Sequence, residues 1–355
     1  MSNKISIIVP TRTRARLLRQ ALRSVRAQTW TERDVVVVDE ASADGSAAML
    51  ASEFPEARVV RHEVAKGPAA ARNAGVAATD GDWVFFWDDD DLMHPAHLEA
   101  LLHAALAAPP RSLVSGRLRS FAIVDDEIRL APVVCTPESR PGIETIVEFL
   151  QPHRRGTLTL STILWPRRLL ETLSWDEDLL INEDVDFFGR AILAGWQIVG
   201  RPVGMNYIRQ HDGERASADP TARALLSPAR YRLKWSALLA AHPGREVCAP
   251  AMRDGFMAQL IDLTGRPEAE AVMPLLREAF GLWGGRHLYV TPPPRQWLKR
   301  TLAQGVLDVG GLPALRWLLT EASRLRGGAD LQPSRLHAPL SDADKSDAAV
   351  IRAVQ

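Results

Sequence analysis

Residues 88–91 are four consecutive aspartates, and Glu183-Asp184-Val185-Asp186 is a second acidic stretch far downstream. Adjacent carboxylates repel, and a chain that needs only a polar turn is served as well by Asn, Ser or Gly. A divalent cation reverses that cost, because hard oxygen ligands gathered at one point suit Mg²⁺ or Mn²⁺. The competing reading is a solvated acidic turn capping a helix that starts at Pro95, where negative charge suits the helix N-terminus. In the second stretch, crowding of Glu183, Asp184 and Asp186 should lift at least one pKa towards neutrality, which suits proton transfer. For Glu183 and Asp186 the alternative is N-capping of a helix expected from Asp186 to Ala194.

The elements around these residues must bring them to one place. Ile5–Val9, Asp34–Val38, Ala57–Arg61 and Trp83–Trp87 are short apolar, β-branched or aromatic runs that read as buried strands. Between them, Arg14–Gln28, Ser46–Phe54 and Gly67–Val76 carry helical patterns. Strand and helix alternating in this way predict a parallel sheet covered by helices, with ligands beyond the carboxyl ends of the strands. Pro10-Thr11, Asp39 and Asp88–Asp91 all fall at such ends and should share one rim. Further on, residues 113–118, 121–124 and 157–164 look strand-like, and Arg167–Leu173 looks helical. Beyond Ser217 the pattern becomes helical, with segments expected at 224–241, 252–263, 267–280 and 296–325. The polar tail after Gly327 is expected to be poorly ordered. This gives three regions: a catalytic domain over 1–217, a helical extension over 218–327 and a flexible tail over 328–355.

Composition narrows the function. Lys+Arg and Asp+Glu both number 43 in 355 residues, so no net charge points to nucleic acid. No apolar run is long enough for a spanning helix, and Met1–Lys4 leads straight into a strand, so a cytoplasmic protein is expected. Cys135 and Cys248 are too few for a disulfide framework or a four-ligand zinc site. The turn after the first strand, Pro10-Thr11-Arg12-Thr13-Arg14, has no glycine, and no Gly-x-x-x-x-Gly-Lys-Ser/Thr loop exists. A diphosphate at this rim would therefore be met by metal at the aspartates and by side chains such as Arg14, Lys66 or Arg72.

Several segments resemble, in order, the motifs of the family 2 inverting glycosyltransferases, which have the GT-A fold. They are Ile7-Ile8-Val9-Pro10-Thr11, Ala27-Gln28-Thr29, Val37–Gly45, Gly67–Gly75 with its Ala-Arg-Asn-x-Gly core, Asp88–Pro95, Glu183–Asp186 and Tyr207-Ile208-Arg209-Gln210-His211. The likeness covers roughly residues 4 to 217 and implies a Rossmann-like, mostly parallel α/β sheet with flanking helices, followed here by the helical C-terminal extension. It also implies roles. Pro10, Thr11 and Asp39 would hold the base and ribose of a nucleotide-sugar donor, and Arg72 would lie near the base or the diphosphate. Asp90 would be the main ligand of Mn²⁺ or Mg²⁺, with Asp88 or Asp89 on ribose or metal-bound water, and His211 would close on the metal. Asp184 would be the general base, with Glu183 beside it in the catalytic pair. Arg12-Thr13, Glu40 and Ala41 stand where the family usually has an aromatic and Asn, a second Asp, and Gly. These departures bear on base stacking and nucleotide identity, not on the metal cluster.

The expected activity is metal-dependent inverting transfer from a nucleotide-diphosphate sugar, most simply a UDP-sugar, to a hydroxyl of a glycan, lipid-linked or small-molecule acceptor. An in-line displacement needs a base for the acceptor and a counter-charge for the departing diphosphate, and the two acidic stretches supply both. A sugar-1-phosphate nucleotidyltransferase would want a Gly-rich loop after the first strand, and a catalytically silent scaffold would tolerate erosion of the acidic positions. Trp165 and Trp175 read as core rather than sugar platforms, and His94 as a helix cap. His153 with Arg154-Arg155 is either acceptor-facing or a solvated loop. The basic and aromatic stretch from Arg295 to Leu319 reads as packing on its own protein, with peripheral contact at the inner membrane face as the alternative.

Overall fold

Ile5, Ile7, Ile8 and Val9 are all fully buried, which requires cover on both faces of the first strand. In the computed structural model, which describes residues 3–132, 134–136, 138–139, 142–151, 159–210, 222–263, 269–283 and 342–355, helices supply that cover. The chain runs β1 (Ile5–Thr11), α1 (Ala15–Arg26), β2 (Arg33–Glu40), α2 (Ser46–Glu53), β3 (Arg58–His62), α3 (Pro68–Ala77), β4 (Trp83–Phe86), β5 (Leu92–Met93) and α4 (His97–Leu106). It continues through β6 (Ser112–Ser115), β7 (Leu118–Val124), β8 (Glu127–Leu130), α5 (Gly142–Leu150), β9 (Trp165–Pro166), α6 (Arg167–Leu170), α7 (Glu183–Leu193), β10 (Gln197–Gly200) and β11 (Asn206–Arg209). Helices α8 (Ala222–Leu239), α9 (Arg245–Leu263), α10 (Ala269–Leu282) and α11 (Asp342–Val354) complete the described chain.

The main sheet has the order β3-β2-β1-β4-β9. β1 pairs in parallel with β2 and with β4, β2 pairs in parallel with β3, and only β9 runs antiparallel. Strand order reverses at β1, whose neighbours β2 and β4 lie on opposite sides, and such a switch point opens a crevice at the carboxyl ends. One face of the sheet packs Ile5, Ile7, Val9, Val37 and Phe85 against Leu18, Leu22 and Val25 of α1, Met49 of α2 and Leu98 of α4. The other face takes α3, where Gly75 lets the helix approach Ile8 so closely that a Cβ would lie 2.3 Å from Ile8 Cγ2. Two smaller sheets, β5-β11-β7-β8 and the parallel pair β10-β6, flank the main one.

The molecule forms two compact units. One comprises Met1–Gly142, Arg155–Ala216 and Ser334–Gln355, and the other Ile143–Arg154 and Ser217–Pro333. The second unit is helical, with α10 and α9 both packing on α8. Tyr231, Trp235, Cys248, Met252, Phe256, Leu276 and Trp283 are buried in it.

Three expectations change. Residues 157–164 do not form a strand where they are described: Leu160–Thr162 is a 3₁₀ turn, with the strand at Trp165–Pro166. The Thr162 hydroxyl donates to the Thr159 carbonyl at 2.8 Å, a local bond that competes with strand pairing. The helix expected from Asp186 starts at Glu183, because Asn182 adopts the left-handed conformation (φ 66°) that Asn tolerates and turns the chain early. The tail expected to be disordered ends in α11, which packs Ala348, Ile351 and Val354 on Phe121, Ile128, Leu130 and Tyr207. Residues 328–341, the helix expected at 296–325 and the stretch from Arg295 to Leu319 lie outside the described residues.

Candidate active site

Thr11 ends β1 directly opposite Asp39 of β2, and Asp88 follows β4 by two residues, so all three strand ends meet at one rim. The four aspartates do not converge on a point. Asp89 turns inward, accepting from Thr11 Oγ1 at 2.7 Å and from Arg14 Nη1 at 3.1 Å. Asp90 accepts from the same Arg14 Nη1 at 3.0 Å. Asp91 is buried and accepts the Arg209 amide at 2.9 Å, while Arg209 Nε donates to the Asp90 carbonyl at 2.8 Å. Asp88 is left at the mouth, its side chain 45 % exposed, 3.7 Å from Arg72 Nη2. Among the described residues no group of three or more His, Cys, Asp or Glu side chains gathers its donors around one metal position. The one-point cluster read from the sequence is thus divided, because the turn after β4 sends two of its carboxylates into the protein.

Burial sets the charge state of this turn. It pushes the Asp89 carboxyl up to about 7, with the neighbouring Asp90 charge adding to the rise and Arg14 and Thr11 opposing it. Asp91 is pushed well above the ordinary carboxylate range by burial, then by Asp90 and Asp88. Asp88 is raised by desolvation, with Arg72 opposing, and the charges of Asp90 and Asp184 push it further up. The second acidic stretch faces the first across one side chain, Arg72, 3.7 Å from Asp88 and 2.9 Å from Glu183.

Arg72 joins the two. This buried guanidinium, 4.7 Å over the Trp175 ring, donates from Nη1 to Glu183 Oε1 at 2.9 Å while its other nitrogen faces Asp88. Trp175 is itself held in place: it stacks on Phe187 at 4.0 Å, and Asn73 of α3 bonds both its amide and its carbonyl. It therefore packs in the core, as expected. Glu183 rises to about 7 through burial and the adjacent Asp184 charge, against the pull of Arg72. Crowding in the second stretch does lift a carboxyl to neutrality, and the one it lifts is Glu183. Asp184 sits in the first turn of α7, with Oδ1 accepting the Val185 amide at 2.7 Å. Asp186 is fully buried and pairs with Arg190 at 2.7 Å, which makes its role structural.

Asp39 is fully buried, with Arg61 Nη1 at 2.6 Å on one oxygen and the Ser42 amide at 2.9 Å on the other. Each carboxylate oxygen keeps a further lone pair for a base N–H. Ala41, where the family usually has glycine, takes φ 56°, a left-handed conformation that explains the glycine preference. Glu40 reaches further than Asp and accepts the Lys66 and Gly67 amides at 2.6 and 2.7 Å, fixing the entry to α3. Pro10, Thr11, Arg14, Asp39, Arg72, Asp88, Asp89, Asp90, Glu183 and Asp184 all lie in the same compact unit. His211, like His153 and its two arginines, lies outside the described residues. Sequence reading gave no role to Arg61, the counter-ion of Asp39, and marked Arg209 only as part of the Tyr207–His211 motif; no local pattern says that either pairs across strands. His94 does not cap the helix: α4 begins at His97 with Ala96 as its N-cap and no side-chain cap bond, and His94 instead accepts the Ala96 amide at 3.2 Å in the turn before it.

A switch-point parallel sheet with carboxylates at its rim, a mixed second sheet and C-terminal helices is a GT-A fold. TarS residues 1–349 from S. aureus, solved in complex with UDP-GlcNAc, share it at a TM-score of 0.62 and 18 % identity, over 96 % of this chain and 98 % of that one. The model of glycosyl transferase family 2 matches residues 6–161 of this chain. Among curated relatives, succinoglycan biosynthesis protein ExoO of Rhizobium meliloti (strain 1021) is 30 % identical over 210 residues, 56 % of this chain and 58 % of that protein. The pre-mycofactocin glycosyltransferase of Mycobacterium tuberculosis is 30 % identical over 208 residues, 57 % of this chain and 42 % of the relative. The chain thus spans less than two thirds of the length of either.

Proposed function

We propose that this chain transfers a sugar, with inversion, from a nucleotide-diphosphate donor to an acceptor hydroxyl, with Asp184 as the general base. The observation that carries the reading is the Arg72 bridge, which ties Glu183 to Asp88 and makes the two acidic stretches walls of one site. Asp184 stands beside Glu183 in the first turn of α7, on the wall of the site where a base for the acceptor proton is needed. Glu183, held near 7 and bonded to Arg72, orients that turn and sets the local charge. Arg72 and Arg14 offer positive charge to the diphosphate, and Asp39 with Thr11 holds the base and ribose.

A divalent cation fits the donor set. Asp88 and Asp90 are carboxylates close enough for one to raise the pKa of the other, a cost that a cation removes. Two carboxylates with diphosphate oxygens and water suit Mg²⁺ or Mn²⁺, which keep several non-protein ligands. Bound there, the cation would neutralise the charge that develops on the leaving diphosphate. His211 completes the proposal as a further ligand. TarS, captured with UDP-GlcNAc, supports a UDP-sugar donor. The likeness to a succinoglycan biosynthesis protein supports a glycan among the acceptors proposed, beside a lipid-linked or small molecule. Cytoplasmic placement, with peripheral contact at the inner membrane face, belongs to the same proposal. Among the described residues no helix is long and apolar enough to cross a membrane.

Calorimetry with UDP in the presence and absence of Mn²⁺ tests the reading, followed by a donor panel scored for nucleotide-sugar hydrolysis. Metal-enhanced UDP binding is expected, and Asp90→Ala should weaken it at least tenfold. A protein that binds no nucleotide with metal is a scaffold, and one that forms nucleotide sugars from sugar 1-phosphates is a nucleotidyltransferase; either result rejects the proposal.

A further inference from the structure

The C-terminal helix α11 has the spacing of a docked element rather than a tail. Asp344, Asp347, Ala348 and Ile351 recur at helical intervals on one face. That face meets the small sheet beside the acidic turn. Asp347 accepts from the Tyr207 hydroxyl at 2.6 Å and from Arg119 Nη1 at 2.8 Å, and Asp344 takes the other end of the same guanidinium. Tyr207 is fully buried and Arg119 is 5 % exposed with α11 in place, so loss of α11 would take away their acidic partners and the cover over the small sheet. The end of the helix is tied as well, with Arg23 of α1 donating to the Gln355 carbonyl at 2.9 Å.

Tyr207 stands two residues before Arg209 on β11, and its strand partner is Leu92, the residue after Asp91. Arg209 holds the turn from the other side: its amide bonds Asp91, its Nε bonds the Asp90 carbonyl and its Nη2 bonds Gln20 of α1 at 2.8 Å. Both grips on Asp90 and Asp91 therefore belong to a strand whose outer surface α11 covers. We infer that α11 is a clasp on the donor-binding turn and that Asp347 is a positioning residue for transfer, acting through Tyr207 and β11 on Asp90. The chain leaves this unit at Ala216 and returns at Ser334, so the clasp is supplied from the far end of the sequence. The functional part of the inference rests on the proposed donor site; the mechanical part does not.

Hydrogen exchange on the full-length protein, paired with UDP–Mn²⁺ calorimetry, separates them. Asp347→Ala should speed exchange at Arg209 and across Asp88–Met93 at least tenfold, leave Val36–Val38 of β2 unchanged and weaken UDP–Mn²⁺ binding at least fivefold. Asp347→Asn, which keeps an oxygen for Tyr207, should recover most of both. A chain ending at Pro333 should show the same local loosening and be restored by a synthetic peptide of residues 338–355. Where that truncation fails to fold, the two substitutions decide. Unchanged exchange at Asp88–Met93, or an equal rise in β2, rejects the clasp. Wild-type protein that binds no UDP–Mn²⁺ rejects the donor site instead, while the exchange pattern still decides the mechanical claim. Localised loosening with unaltered binding rejects the role of Asp347 in positioning.

Discussion

Glu183 and Asp184 are neighbours to which the proposed mechanism gives different tasks, and their surroundings differ. Glu183 is bound to a buried arginine and held near 7, whereas Asp184 turns back on its own helix, its Oδ1 accepting the Val185 amide. Asp184→Asn should leave UDP–Mn²⁺ affinity within about twofold and lower kcat by at least a hundredfold, since general-base catalysis contributes typically 10²–10⁴-fold. Steady-state kinetics with the donor found in the panel checks this. The raised pKa of Glu183 also has a sign. The folded protein keeps a proton that the unfolded chain releases near its ordinary value of 4.5, so this group's contribution to stability is complete below that pH and is lost as pH rises through about 7. Glu183→Gln removes that dependence. Relative to wild type, the variant should gain up to about 3 kcal/mol between pH 5 and pH 8 in ligand-free denaturation curves. A difference that stays flat with pH would show that Glu183 is ionised at little cost.

The site exists because a few elements approach one another more closely than side chains permit. At Gly81, before β4, a Cβ would lie 2.8 Å from the Lys4 carbonyl and 2.9 Å from the Ser6 amide, both backbone atoms of the first strand and its lead-in. At Gly75 the obstacle is Ile8 Cγ2 at 2.3 Å, a side-chain atom rather than backbone. Gly81→Ala should therefore destabilise by on the order of 2–3 kcal/mol and exceed Gly75→Ala, with unchanged denaturant slope. The reverse order would mean that β4 can shift away from β1 without penalty. Elements were also where sequence reading did best and worst. The strands and helices up to β4 show strong apolar periodicity and were placed to within a few residues. β5, β8, β10 and β11 are two to four residues long, and a period cannot be recognised in so few. The start of α7 was set by one left-handed asparagine, a feature no periodicity carries.

For the whole molecule, donor binding is linked to folding. A ligand at a hundredfold its Kd stabilises the state that binds it by about 2.7 kcal/mol. Saturating UDP with Mn²⁺ should raise the melting temperature by several degrees in wild type and much less in Asp90→Ala, as read by differential scanning calorimetry. Equal shifts in both proteins would place the nucleotide away from the acidic turn. The same unit contains α11, so that helix is expected to melt with the sheet that carries the turn. Composition had marked those residues as a loose tail. Seen alone, their short apolar stripe is too weak to fold, and it gains its stability only from Tyr207, Phe121 and Leu130.

The order of residues alone established the alternation of strand and helix, the rim where Thr11, Asp39 and Asp88 meet, and two acidic stretches suited to a cation and to proton transfer. These follow from local periodicity, turn residues and repulsion between adjacent carboxylates, all of which can be read without knowing where the chain goes next. Tertiary structure decided which aspartates turn inward, which arginines neutralise them, and that the end of the chain braces the turn near its middle. Those pairings join residues far apart in sequence, and their strength depends on burial and on distances of about 3 Å, which arise only when the strand ends are brought together.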